Sequence, residues 1–216
     1  MGMTTQEAAL RERMAQVMQA MDARGLNRGT SGNVSARCGE DMLVTPTGVP
    51  AARLTAEHMV LVRPDGSSPE GALKPSSEWR MHKGILDRRP DVGAVAHCHS
   101  RHATILACAG LQIPPMHYMV AVSGGSSVPV APYATFGSEE LAATVVEALD
   151  GRYAALMANH GQIVAAPNLD FALAITEEVE EQAAVYWGTL AIGGPNLLAE
   201  DEMNRILQRF RSYGQR

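Results

Sequence analysis

The run GAVAHCHS, residues 93–100, decides how this chain is read. Ala94, Val95, Ala96 and Cys98 make a short apolar stretch bounded by Gly93 and Ser100, the pattern of a buried strand. Successive side chains of a strand point to opposite faces. His97 and His99 therefore share one face, and Cys98 points the other way as a small core residue. A lone histidine in an apolar strand is ordinarily a hydrogen-bonded core residue. Two on one face, joined by His160 from the run MANHG, make a three-nitrogen set that suits a divalent metal, zinc (Zn2+) first, with another divalent ion as the option. Catalytic zinc sites keep three protein ligands and one open position, so the pattern points to an enzyme.

Towards the N-terminus, KPSSEW begins a helix expected over 78–89, with Ser77 as its cap and Glu78 in its first turn. A carboxylate there meets the positive end of the helix dipole, which favours ionisation. Glu78 can serve as a fourth metal ligand, a general base, or both at different stages. By itself it would be an ordinary first-turn glutamate; its weight comes from Ser76 and Ser77 just before it. His82, four residues on and on the same helix face, is placed to orient that carboxylate. Gly29 to Asn33, Thr45 to Gly48, and Ser76-Ser77 are three separate runs of small and hydroxyl residues. Glycine lets backbone N–H groups come close to an anion, and a helix start adds a favourable dipole. Together the three runs suggest a neutral phosphate cup. No Walker-type run and no strand–GxGxxG–helix unit occur, so a nucleotide is not indicated. His58, His82, His102 and His117 are by default expected to be surface or structural, the orienting role being the alternative for His82. Tyr118 and Phe136 lie in a Pro-, Gly- and Ser-rich stretch, 112–137, and Tyr213 lies near the C-terminus.

The rest of the chain alternates strands and helices. Helices are expected at 5–24, 101–109, 138–149 (with Ser138 as cap), 169–191 and 200–211. Turn-joined strands are expected in NVSAR, MLVTPTG and HMVLVRPDG, and two strands of 155–166 meet at His160-Gly161. No repeat, low-complexity run or linker divides the 216 residues. The expectation is one α/β domain over residues 1–216, with a mixed, largely antiparallel sheet and helices on its faces.

Composition narrows the partners. Charged residues are 19% of the chain, below the usual ~25%, leaving room for a large core and a buried subunit contact. Net charge is -5 and the basic residues are scattered, which argues against a nucleic-acid surface. Three cysteines with no C-x-x-C spacing suit a reducing cytoplasm rather than a disulfide scaffold. No run of about 18 apolar residues is present, so no membrane span is expected.

The runs GLNRGTSGNVSAR, MLVTPTGVP, KPSSEWRMH, AVAHCHS, IPPMHYMVA, APYATFGS and ANHG, in this order, resemble the class II aldolase/adducin family over nearly the whole chain. The resemblance implies a single α/β domain that assembles as a homotetramer with sites between adjacent subunits. It implies zinc on His97, His99 and His160, with Glu78 as the catalytic acid/base and an added metal ligand when no substrate is bound. Gly32, Asn33, Thr47, Gly48, Ser76 and Ser77 match its phosphate-binding positions. Tyr118 matches a proton donor or acceptor supplied by the neighbouring subunit, and Phe136 and Tyr213 match its aldehyde pocket. The implied reaction is reversible cleavage of a ketose 1-phosphate to dihydroxyacetone phosphate and an aldehyde, without a lysine Schiff base. Relatives use L-fuculose-, 5-deoxyribulose- or 5-(methylthio)ribulose-1-phosphate, the last two in salvage of 5-deoxy and methylthio sugars. A pentulose-5-phosphate 4-epimerase shares the fold, but its branch resembles Ser-Ser-Asp where this chain has Ser76-Ser77-Glu78. Non-catalytic adducin-like modules lose the metal ligands, which are present here.

Overall fold

The computed structural model describes residues 4–212, so Tyr213 lies outside the described residues. The strands are β1 (Asn33–Cys38), β2 (Asp41–Val44), β3 (Val60–Val62), β4 (Ala94–Cys98), β5 (Val130–Ala131), β6 (Ala154–Met157) and β7 (Gly161–Ala166). They form one sheet in the order β3-β2-β1-β4-β7-β6-β5. Every pairing is antiparallel except the edge pair β5–β6. The fold is thus a mixed, largely antiparallel α/β domain, as the strand and turn pattern led us to expect.

Helices α1 (Thr5–Ala23), α2 (Trp79–Arg88), α3 (Arg101–Ala109), α4 (Glu139–Ala148), α5 (Leu169–Leu190) and α6 (Glu200–Ser212) surround it. The alternation of strand side chains sorts the core into two layers. Val34, Ala36, Ala94, Ala96 and Cys98 face α1, α3 and α5. Val44, Val62, Val95, Ile163 and Ala165 face the pair α2 and α4. β4 is buried on both faces, which is why it reads as a continuous apolar run interrupted only by His97. Cys98 is fully buried in the first layer, with its thiol pushed up to about 12 by burial, so it is a packing residue.

Three boundaries differ from the sequence reading, each for a local reason. β4 ends at Cys98, so His99 sits one residue beyond the strand while keeping the face of His97. Helix α2 starts at Trp79 and its cap position is Glu78 rather than Ser77. The Glu78 side chain makes no capping bond, because it is turned into the site; Ser76 Oγ takes the Glu78 backbone N–H instead, at 3.3 Å. The stretch 112–137 holds a 3-10 turn (Tyr118–Ser123) and the edge strand β5, which sequence patterning passed over. β5 is two residues long between Pro129 and Pro132, and only its pairing with β6 makes it a strand.

Candidate active site

The site is assembled where the β1–β4–β7 pairing meets the start of α2. β1 and β4 pair with Asn33 opposite His97, and β4 and β7 pair with Cys98 opposite Gln162. Directly opposed residues share a face, so Asn33 and His97 both point towards α2. His160 comes from the connection between β6 and β7. The chain reverses from Met157 to Gly161 with a 3.0 Å bond from the His160 N–H to the Met157 carbonyl. Asn159 takes the left-handed conformation there, at φ 56°, which asparagine tolerates better than most residues. Gly161 then passes so close to the Cys98 carbonyl and the His99 ring that a Cβ would collide. That close passage brings His160 onto the histidine pair.

The three imidazoles form a near-regular triangle, with ring centroids 4.7 to 4.9 Å apart. One nitrogen from each lies within 4.8 Å of the others. His97 is fully buried, and its Nδ1–H donates to the Gln162 carbonyl at 2.8 Å. That bond fixes the tautomer and leaves the Nε2 lone pair facing the cluster. His97 Nε2 is 3.1 Å from His99 Nε2. Burial is the first reason that His99 and His160 are lowered to about 4, and the neighbouring His97 ring is the second, so the neutral, ligating form dominates near neutral pH.

Glu78, 6% exposed, lies against this triangle. Its Oε2 is 3.2 Å from His97 Nε2 and accepts from Asn33 Nδ2 at 2.9 Å. Its Oε1 is 3.3 Å from His160 Nε2, yet is buried without a hydrogen-bond partner. Burial on its own would raise the carboxyl pKa. Charge and hydrogen bonding from His97, the Asn33 amide and His160 outweigh it and hold the group below the usual carboxylate range. Three inward-facing imidazole nitrogens beside a buried, unsatisfied carboxylate oxygen are a donor set for a divalent cation, and borderline-soft ions such as zinc favour it. Glu78 reaches His97 and His160 but is not part of the mutually converging set of three.

Above this floor opens a cavity of about 340 Å³. All six residues of the expected phosphate cup line it: Gly32, Asn33, Thr47, Gly48, Ser76 and Ser77. The loops arrive from three parts of the chain because Pro46 bridges to Pro75, and the Thr47 N–H donates to the Lys74 carbonyl at 3.1 Å. Gly32, at φ 78°, rests directly on the Asn27 side chain, so a Cβ there would collide. Phe136 lines the opposite rim and is 67% exposed. Tyr118 does not line the cavity: it is 52% exposed on the 3-10 turn that packs on α5 and α6. Sequence reasoning assigned nothing to Tyr133 and Asn159, which also line the rim; their one signal was position, beside Phe136 and His160.

A single mixed sheet carries a histidine triad that could hold a metal ion, with a buried carboxylate beside it, under a cup of small and hydroxyl residues. The chain belongs to the family described as the Class II Aldolase and Adducin N-terminal domain, which matches residues 12–187. It is 45% identical over 206 residues to the 5-methylthioribulose-1-phosphate/5-deoxyribulose-1-phosphate aldolase of Rhodospirillum rubrum, covering 95% of this chain and 93% of that protein. It is 47% identical over 193 residues to the L-fuculose phosphate aldolase of Escherichia coli strain K12, covering 89% of each. Among solved structures, an L-fuculose 1-phosphate aldolase superposes with a TM-score of 0.91 at 36% identity, covering 94% of this chain and 96% of that one.

Proposed function

We propose that this chain is a zinc-dependent aldolase that reversibly cleaves a ketose 1-phosphate to dihydroxyacetone phosphate and an aldehyde. The observation that carries the reading is the convergence of His97, His99, His160 and Glu78 beneath a cavity lined by Gly32, Thr47, Gly48, Ser76 and Ser77. The three histidines would hold the metal, which when bound supplies Lewis-acid polarisation of the ketose carbonyl. Loops from three segments would take the phosphate through backbone N–H groups and hydroxyls, and binding energy spent at that inert end positions the reacting carbons. In the condensation direction the Glu78 carboxylate, beside the triad, would take a proton from C3 of dihydroxyacetone phosphate; in cleavage it would first gain a proton from water and then give it to C3 as C3–C4 breaks. The proton on the C4 hydroxyl needs a second group. Tyr118 of the partner subunit fills that role in our reading, which accords with the exposure of this tyrosine away from the cavity of its own chain. Phe136 on the rim would face the aldehyde half, and Tyr213 would close the same side. A homotetramer in the cytoplasm is the corresponding assembly, and among the described residues no helix is long and apolar enough to cross a membrane.

Three ketoses share the phosphate end and differ at the aldehyde end: L-fuculose-, 5-deoxyribulose- and 5-(methylthio)ribulose-1-phosphate. The test is release of dihydroxyacetone phosphate from each, with and without chelator, with L-ribulose 5-phosphate as control. Chelator-sensitive release from one or more supports the reading, and the preferred sugar names the pathway. No release from any of the three would overturn it.

A further inference from the structure

His82 is fully buried on α2, beside Met81, Ile85 and Leu86 of the apolar layer between α2 and the sheet. A buried imidazole costs free energy unless both nitrogens are hydrogen-bonded. Both are: Nδ1 is 2.8 Å from Ser35 Oγ, and Nε2 bonds Asn33 Oδ1. Asn33 and Ser35 are two apart on β1 and so share the face that meets α2. Asn33 spans from His82 to the carboxylate, with its Nδ2 donating to Glu78 Oε2 at 2.9 Å.

The donor directions of this chain follow one from another. The Asn33 NH2 faces Glu78, donating to Oε2 at 2.9 Å, and a carboxylate oxygen there accepts. The Asn33 carbonyl then faces His82, whose Nε2 must carry the hydrogen. With Nε2–H committed to Asn33, Nδ1 accepts from the Ser35 hydroxyl at 2.8 Å, and burial, which lowers His82 to about 3, keeps the ring neutral. Every hydrogen in the series Ser35, His82, Asn33 points towards Glu78, and such a series polarises in one sense. Were the asparagine turned over, its carbonyl oxygen would oppose a carboxylate oxygen.

We propose that His82 is a positioning residue for Glu78: it locks the Asn33 amide with its NH2 towards the carboxylate and thereby fixes Glu78 against His97 and His160. An apolar side chain would fill the same space in this layer. What it could not do is hold the amide, and the Asn33 carbonyl and Ser35 hydroxyl would be left buried without partners. Asn33 is accordingly tied to the reacting end of the cavity, although it also lies among the loops that form the phosphate cup. The proposal rests on the reading of Glu78 as the proton carrier, and its test separates the two.

The experiment compares the full-length zinc-loaded protein with His82→Leu, His82→Gln, Glu78→Gln and the double variant His82→Gln/Glu78→Gln. Four quantities are measured: kcat and KM on the best ketose 1-phosphate, zinc affinity by chelator competition, and inhibition by inorganic phosphate. Losing a hydrogen-bonding partner behind a metal-site residue costs about 10- to 100-fold in metal affinity or activity. His82→Leu is expected to lose kcat in that range with phosphate inhibition little changed. His82→Gln, whose amide can still donate to Asn33, is expected to recover part of the loss. In the Glu78→Gln background, His82→Gln should cost no further zinc affinity, since the pathway it supports is already cut. Wild-type kcat and zinc affinity in His82→Leu would overturn the proposal, as would equal defects in the two His82 variants. If His82→Leu does not fold, the cycle decides alone: additive losses in the double variant leave His82 as a packing residue only. Near-normal turnover in Glu78→Gln would instead sink the proton-carrier reading and leave the zinc-affinity cycle to judge His82.

Discussion

A single residue shows how much chemistry a strand face can impose. His97 is fixed from behind by the Gln162 carbonyl, so its lone pair is aimed before any ligand arrives. His97→Ala removes the fully buried member of the triangle, and bound zinc and turnover should both fall at least ten-fold; a variant that keeps its zinc by elemental analysis would refute the assignment. His82 gives a pH prediction with a definite sign. Its folded pKa is lowered to about 3 by burial, against about 6.5 in the unfolded chain. Between those values the unfolded chain takes up a proton that the folded chain refuses, so stability present above pH ~6.5 is lost as pH falls towards ~3. His99 and His160, lowered to about 4, act in the same direction over a narrower window. The midpoint of denaturant unfolding of the metal-free protein should therefore fall from pH 7 to pH 4, and less steeply in His82→Gln. Identical slopes would show that the buried neutral imidazole is not a source of the acid sensitivity.

Elements decide which of these residues could be foreseen. The face of β4 was legible because alternation needs only a correct strand, and the two strands of 155–166 placed His160 for the same reason. The three small-residue loops were legible as a set, since all six named positions line one cavity. The task of Asn33 was not legible: it depends on the β1–β4 register and on α2 crossing above, both long-range facts. His82 was placed as an orienter of Glu78, but the contact runs through Asn33 rather than directly down the helix. The Ser77 cap failed because the chain uses the helix start to aim Glu78 inward, so function displaced the commonest local rule. Loop geometry carries its own test. Gly32 and Gly39 both have positive φ, at 78° and 62°, but only Gly32 has a side chain beneath it. Gly39→Ala should cost about 1 to 2 kcal/mol from backbone strain alone. Gly32→Ala should cost more, because Asn27 must also move, and it should weaken inhibition by inorganic phosphate where Gly39→Ala does not. Equal phosphate inhibition in both variants would remove the Gly32 loop from the anion site.

For the whole molecule, one chain's cavity brings together the proposed metal and phosphate residues but not Tyr118, the proposed carrier of the C4 hydroxyl proton. Tyr118 stands 52% exposed on the far side of the 3-10 turn, and a cluster of exposed apolar side chains, Val185, Trp187 and Leu190, follows along α5. Tyr118 is not among the residues that line its own chain's cavity, and the turn that carries it packs on α5 and α6. In the proposed closed cyclic assembly each subunit would lend its tyrosine to the next. The arrangement has a quantitative signature. Tyr118→Phe and His97→Ala are each expected to be nearly inactive alone. Denatured together in equal amounts and refolded, they assemble at random. A site then works only when a subunit with intact His97 lies beside one with intact Tyr118, so about a quarter of the sites should be whole. Recovery near that fraction, absent when the two variants are assembled separately and then mixed, would follow from a site shared across a heterologous interface. A mixture no more active than its parts would require each chain to supply its own acid, and some group other than Tyr118 would have to be sought on the rim beside Tyr133 and Phe136.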